Sequence, residues 1–118
     1  MMDERRKFDR KLLTYFSRVI DRKTGALLGY LVDMTTGGVM IVGDYPLKVN
    51  TDFELRIDLP DGYTDKERLD IEARAVWCLQ DPDPELFRTG LKLIQVSPEE
   101  FQMLVKIISD YGLNKMGK

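Results

Sequence analysis

The chain has 118 residues, with 18 basic and 20 acidic side chains and a formal net charge of -2. That length implies one domain with one core, and the near-neutral balance excludes a protein whose whole surface is a footprint for nucleic acid. No histidine is present, which removes the commonest general base and metal ligand at neutral pH, and the one cysteine, Cys78, excludes an internal disulfide and any Cys-cluster zinc site.

A hydrophobic share of 43% is that of a folded domain, not of a disordered chain. No apolar run approaches the roughly 18 residues of a membrane span. The basic residues near the N-terminus lack an apolar segment behind them, so no secretory signal is expected. A lone thiol then predicts a cytoplasmic location.

Residues 1–11 are expected to form a flexible N-terminal arm; within them Asp3–Lys11 is charged except for Phe8. From Leu12 the pattern changes to β-branched and aromatic residues running through Ile20, a first strand. The turn cluster Asp21–Gly25 follows, then a second strand over Ala26–Met34. Thr35-Thr36-Gly37-Gly38 breaks it, and Val39–Val42 makes a short buried third strand.

Asp52–Leu59 has the cleanest period-2 alternation, with Phe53, Leu55, Ile57 and Leu59 on one face. After a polar loop, a fifth strand spans Leu69–Leu79 and is expected to turn Ile71, Ala73, Ala75, Trp77 and Leu79 inward. Asp81-Pro82-Asp83-Pro84 ends it, because proline cannot donate to a ladder. Phe87–Val96 is the sixth strand, in which Gly90 marks a bend or a close backbone approach.

The period then switches. Ser97-Pro98-Glu99-Glu100 opens a helix with a capping serine, proline at the first helical position and glutamate three residues after the cap. Phe101, Leu104, Val105 and Ile108 recur at helical spacing as the expected core face, and Gly112 is the expected stop. These elements predict a mainly all-β fold: a six-stranded antiparallel barrel with a C-terminal helix over residues 12–112, and a tail over 113–118.

No catalytic constellation emerges. Ser17 and Ser109 have no histidine partner. Asp81, Asp83 and Glu85 alternate like calcium ligands but lack the glycine and distal glutamate of such loops, so a solvated turn is expected there and no metal. Cys78 has no histidine to activate it and is expected to be a half-buried thiol. Trp77 is expected in the core. A single-stranded nucleic acid barrel would need a basic groove lined by aromatics, and the strands carry as many acids as bases.

Two segments remain. Arg5, Arg6, Lys7, Arg10 and Lys11 place five cations within seven positions, and arginine forks match phosphate oxygens bidentately. Asp33-Met34-Thr35-Thr36-Gly37-Gly38 supplies an acid, hydroxyls and glycines at a strand junction. The first has the form RxxxR (Arg6 to Arg10) and the second the form DxTxxG (Asp33 to Gly38). With an N-terminal arm, a barrel and a terminal helix, this order resembles the PilZ domain family, from Arg5 to about Tyr111; Phe87–Leu93 also resembles that family's late strand.

The resemblance implies a receptor for cyclic di-GMP, a stand-alone adaptor acting in motility or biofilm control, with no enzymatic activity and no cofactor. It implies that Arg6 and Arg10 hold phosphate oxygens and guanine O6/N7 edges, and that Asp33 accepts from guanine N1–H and N2–H₂. Thr35, where the family usually has serine, would offer its hydroxyl, and Gly38 would allow close backbone approach. A basic residue at Arg5 is associated in the family with two intercalated ligands, so a monomer or a ligand-bridged dimer is expected. The arm would order over the ligand and present a new surface to an as yet unidentified protein partner. The alternative is a PilZ-fold interaction adaptor that does not bind nucleotide.

Overall fold

The computed structural model describes residues 17–59, 63 and 66–111. Arg5, Arg6 and Arg10, the expected start of the first strand at Leu12, and Gly112 with the tail lie outside the described residues. Six strands form a closed, wholly antiparallel barrel: β1 (Arg18–Asp21), β2 (Leu27–Thr35), β3 (Gly38–Gly43), β4 (Asp52–Asp58), β5 (Arg68–Gln80) and β6 (Phe87–Gln95). Around the barrel the order is β1-β2-β3-β6-β5-β4, and the short β1 closes it by pairing with both β2 and β4. One helix, α1 (Pro98–Tyr111), follows β6.

The period-2 pattern explains the core. On β4, Leu55 and Ile57 are fully buried, and Leu69, Ile71, Ala73 and Ala75 do the same on β5. Val19, Leu31, Met34, Val39, Ile41 and Leu91 complete the interior, so the barrel is filled by side chains. The alternate residues of β4 point outward and pair across strands: Asp52 with Arg74 (2.7 Å), Arg56 with Asp70 (3.0 Å) and Asp58 with Arg18 (2.8 Å). Cross-strand pairs of opposite charge fix register on an exposed face.

The helix begins as its cap residues dictate. The Ser97 hydroxyl oxygen accepts the Glu100 backbone N–H at 3.1 Å. Glu100 does not complete a reciprocal capping box; its carboxylate accepts the Asp70 backbone N–H (3.4 Å) and pairs with Lys66 (3.2 Å), tying the first helical turn to β5. Near the other end, Asp110 accepts the Tyr63 hydroxyl (2.6 Å) and Lys106 (2.8 Å), and Lys106 lies 5.1 Å from the Tyr63 ring centre. Both anchors set the roll of the helix. Leu104 and Ile107 are therefore buried, with Met103 and Ile108 packed beside them.

This corrects the expected helix face. Phe101 and Val105 are 37% and 43% exposed. The apolar stripe is broad enough that periodicity alone does not choose its centre, and the polar anchors at Glu100 and Asp110 do.

Candidate functional site

Beside the charge-paired face, a shallow cleft of about 310 Å³ lies on the outside of the barrel. Its walls come from the β2–β3 hairpin, from β6 and from the second half of β5. Asp33, Thr35 and Gly38 all line it, so the structure brings these three expected site residues together.

Two β-bulges make this possible. Leu31 pairs with Ile41 and Asp33 with Met40, so Val32 is an extra residue in β2. The insertion lets Leu31 and Met34 both face the core while Asp33 and Thr35 share the outer face. On β5, Ala75 pairs with Leu91 and Trp77 with Gly90, so Val76 is the extra residue there. Ala75 stays buried and Trp77 turns outward.

Trp77 is thus a correction to the sequence expectation. Strict alternation from Ala73 and Ala75 puts it in the core, but the bulge inverts the parity, and the indole is 38% exposed. Leu79 follows the same inversion and is 64% exposed. The signal that could have found this is Gly90. Its backbone directly underlies the indole, and a β-carbon at 90 would overlap the ring.

The register now defines two parallel rows across four strands. One runs Asp33, Met40, Gly90, Trp77; the other runs Thr35, Gly38, Lys92, Arg74. With strands about 4.8 Å apart, Asp33 and Trp77 stand about 14 Å apart along the sheet. A carboxylate at one end and an aromatic face at the other span the size of a planar heterocycle with a substituent.

Local hydrogen bonds hold the hairpin end in shape. The Asp33 carboxylate accepts the Met34 backbone N–H (2.8 Å), and the Thr35 hydroxyl oxygen accepts the Gly37 N–H (3.0 Å). The Gly37 carbonyl accepts the Leu93 N–H (2.7 Å), tying the turn to β6. Gly38 has a structural reason to be glycine, since a β-carbon there would collide with the Leu91 carbonyl oxygen of the neighbouring strand.

Elsewhere, Asp81 and Asp83 act as turn residues. Asp81 accepts the Asp83 N–H and Asp83 the Glu85 N–H, both at 3.0 Å, while Asp81 also pairs with Arg88. The half-buried Cys78 thiol accepts the Thr89 hydroxyl at 3.4 Å. Among the described residues no group of three or more His, Cys, Asp or Glu is placed to hold a metal ion. No helix among them is long and apolar enough to cross a membrane.

The sequence profile of the PilZ domain matches residues 4–110. The chain belongs to the PilZ family. No curated protein matches it. Among solved structures, the inhibitor of motility MotI/DgrA from Bacillus subtilis superposes with a TM-score of 0.69 at 19% identity. That match covers 86% of this chain but only 49% of the Bacillus protein, so the chain spans about half of it. The PilZ domain of YcgR from Escherichia coli, determined with c-di-GMP, superposes with a TM-score of 0.58 at 16% identity, covering 86% of this chain and 83% of that one. Both likenesses establish the shared fold. The PilZ profile reaches back to residue 4, and so takes in the RxxxR segment as well as the hairpin that carries Asp33, Thr35 and Gly38.

Proposed function

We propose that the outer-face cleft binds cyclic di-GMP and that the protein is a receptor and adaptor, not an enzyme. The observation that carries this reading is the row Asp33, Met40, Gly90, Trp77. It sets a carboxylate acceptor and an exposed indole on one surface, with the indole seated over Gly90 and Met40 between it and Asp33. A carboxylate is the side chain best suited to the guanine N1–H and N2–H₂ donors. An indole face is a stacking platform for a base.

In this reading Arg6 and Arg10 hold the phosphates and the guanine O6/N7 edges, and Arg5 favours two intercalated ligands. Thr35 contributes its hydroxyl. The N-terminal arm closes over the occupied cleft and the combined surface is read by a protein partner in motility or biofilm control. The PilZ domain of YcgR, determined with this nucleotide, and the motility inhibitor MotI support the assignment by fold.

Isothermal titration calorimetry with cyclic di-GMP tests it, on wild type, Arg10→Ala and Trp77→Ala. Wild type should bind at micromolar concentration or tighter. Arg10→Ala removes a charged contact of about 1.5–3 kcal/mol, weakening Kd roughly 10- to 150-fold. Trp77→Ala removes a stacking contact of about 1–3 kcal/mol. A folded wild-type protein that gives no heat would overturn the receptor. The exposed Val76 and Leu79 beside Trp77 would then favour the second reading, a nucleotide-independent interaction adaptor.

A further inference from the structure

The second row of the cleft carries a cation that the family motifs do not include. Lys92 pairs with Gly38 on one side and with Arg74 on the other, and all three belong to the outer face. The two cations of this row differ sharply in their surroundings. Arg74 is engaged by Asp52 through two hydrogen bonds of 2.7 and 3.3 Å, and its charge is matched. Lys92 is exposed, and its side chain makes no hydrogen bond or ion pair among the described residues. It is the one cation among the described residues that line the cleft.

Its position has a geometric cause. Gly38 presents no side chain between Thr35 and Lys92 on this row, and the Leu91 carbonyl oxygen of β6 packs where its β-carbon would be. Lys92 and Thr35 therefore line the cleft from the same row, beside the row that runs from Asp33 to Trp77. A planar base lying on the first row would direct its sugar-phosphate toward the second.

We infer that Lys92 is a phosphate-contacting residue of the cleft, recognising a phosphodiester oxygen of the nucleotide whose base rests between Asp33 and Trp77. This rests on the receptor reading above and adds to it a binding residue supplied by β6. Lysine acts here as a compact point charge on a flexible stem, which tolerates variation in phosphate position better than a planar fork does. An exposed contact of this kind is also sensitive to ionic strength.

The test is a fluorescence or calorimetric titration of cyclic di-GMP into wild type, Lys92→Gln and Lys92→Arg, each at low and high salt. Melting temperatures should coincide, because Lys92 makes no contact that folding needs. Lys92→Gln should weaken binding roughly 5- to 10-fold at low salt, with a smaller difference at high salt, and Lys92→Arg should bind like wild type. Wild-type binding with an unchanged Kd in Lys92→Gln would overturn the assignment and leave the receptor reading standing. So would a loss shared equally by both variants at both salt concentrations, since that is a steric effect and not a charge contact. Failure of the wild type itself to bind would remove the receptor reading and this inference with it.

Discussion

The indole of Trp77 lies over Gly90, in the space that a β-carbon at position 90 would fill. Trp77 is the chain's one tryptophan, so the emission of the whole protein reports on this contact. Gly90→Ala forces the ring away from the strand. The expected result is a red-shifted emission, weaker nucleotide binding and a stability loss of about 1–3 kcal/mol from overpacking. Unchanged emission in a folded Gly90→Ala protein would contradict the placement of the ring.

Asp33 should set base selectivity. Asp33→Asn keeps one carbonyl acceptor but adds a donor where guanine already presents donors. Affinity for cyclic di-GMP should fall by about 1.5–3 kcal/mol, and discrimination against cyclic di-AMP should narrow. Parallel titrations with both dinucleotides measure this. Equal losses for the two ligands would show that Asp33 acts through the hairpin, not through the base.

Glu100 should behave as a tether between helix and barrel, not as half of a capping box. Ser97→Ala removes the cap and should cost about 1 kcal/mol. Glu100→Ala leaves that cap intact but strips Lys66 and the Asp70 N–H of their acceptor, and should cost a similar amount. Urea denaturation of Lys66→Ala with and without the Glu100 change separates the two roles, since coupling should appear with Lys66.

The carboxyls of Asp110 and Asp52 titrate below the ordinary carboxylate range. Lys106 chiefly, with the Tyr63 hydroxyl, lowers Asp110, and Arg74 lowers Asp52 through its hydrogen bonds. A carboxyl with a depressed folded pKa stabilises the fold fully above its unfolded pKa, and that stabilisation is lost as pH falls through the folded value. The urea midpoint of Asp110→Asn should therefore lie below that of wild type near neutral pH. The two should converge in acid, once the pH lies below the lowered folded value of the Asp110 carboxyl. A gap that persists in acid would assign the effect to packing instead.

Much of this arrangement is legible in the sequence because the strands are amphipathic and their ends are marked by turn residues. The alternation in Asp52–Leu59 and the Ser97-Pro98 cap predict their elements closely. The Asp33, Thr35 and Gly38 segment alone reads as a hairpin turn, and is expected as a site only through its resemblance to the PilZ pattern. The bulges at Val32 and Val76 are not legible, because an inserted residue changes which side of a strand its successors face without changing its composition. Trp77 and Leu79 are misread for that reason alone. The helix roll escapes as well, since it depends on Glu100 and Asp110 finding partners distant in the chain.

The ion-paired ladder of β1, β4 and β5 has a kinetic consequence. Each closed pair presents a local dipole, whose field fades within about one Debye length, roughly 8–10 Å at physiological salt. An anionic ligand diffusing past that side meets almost no net force, despite the many arginines and aspartates displayed there. The rate at which a dianion arrives, and how steeply that rate falls with salt, is left to cations outside the ladder. Breaking one ladder pair, as in Asp52→Asn, would free a guanidinium on the barrel wall next to Lys92 and so raise the encounter rate without touching a single contact of the bound state.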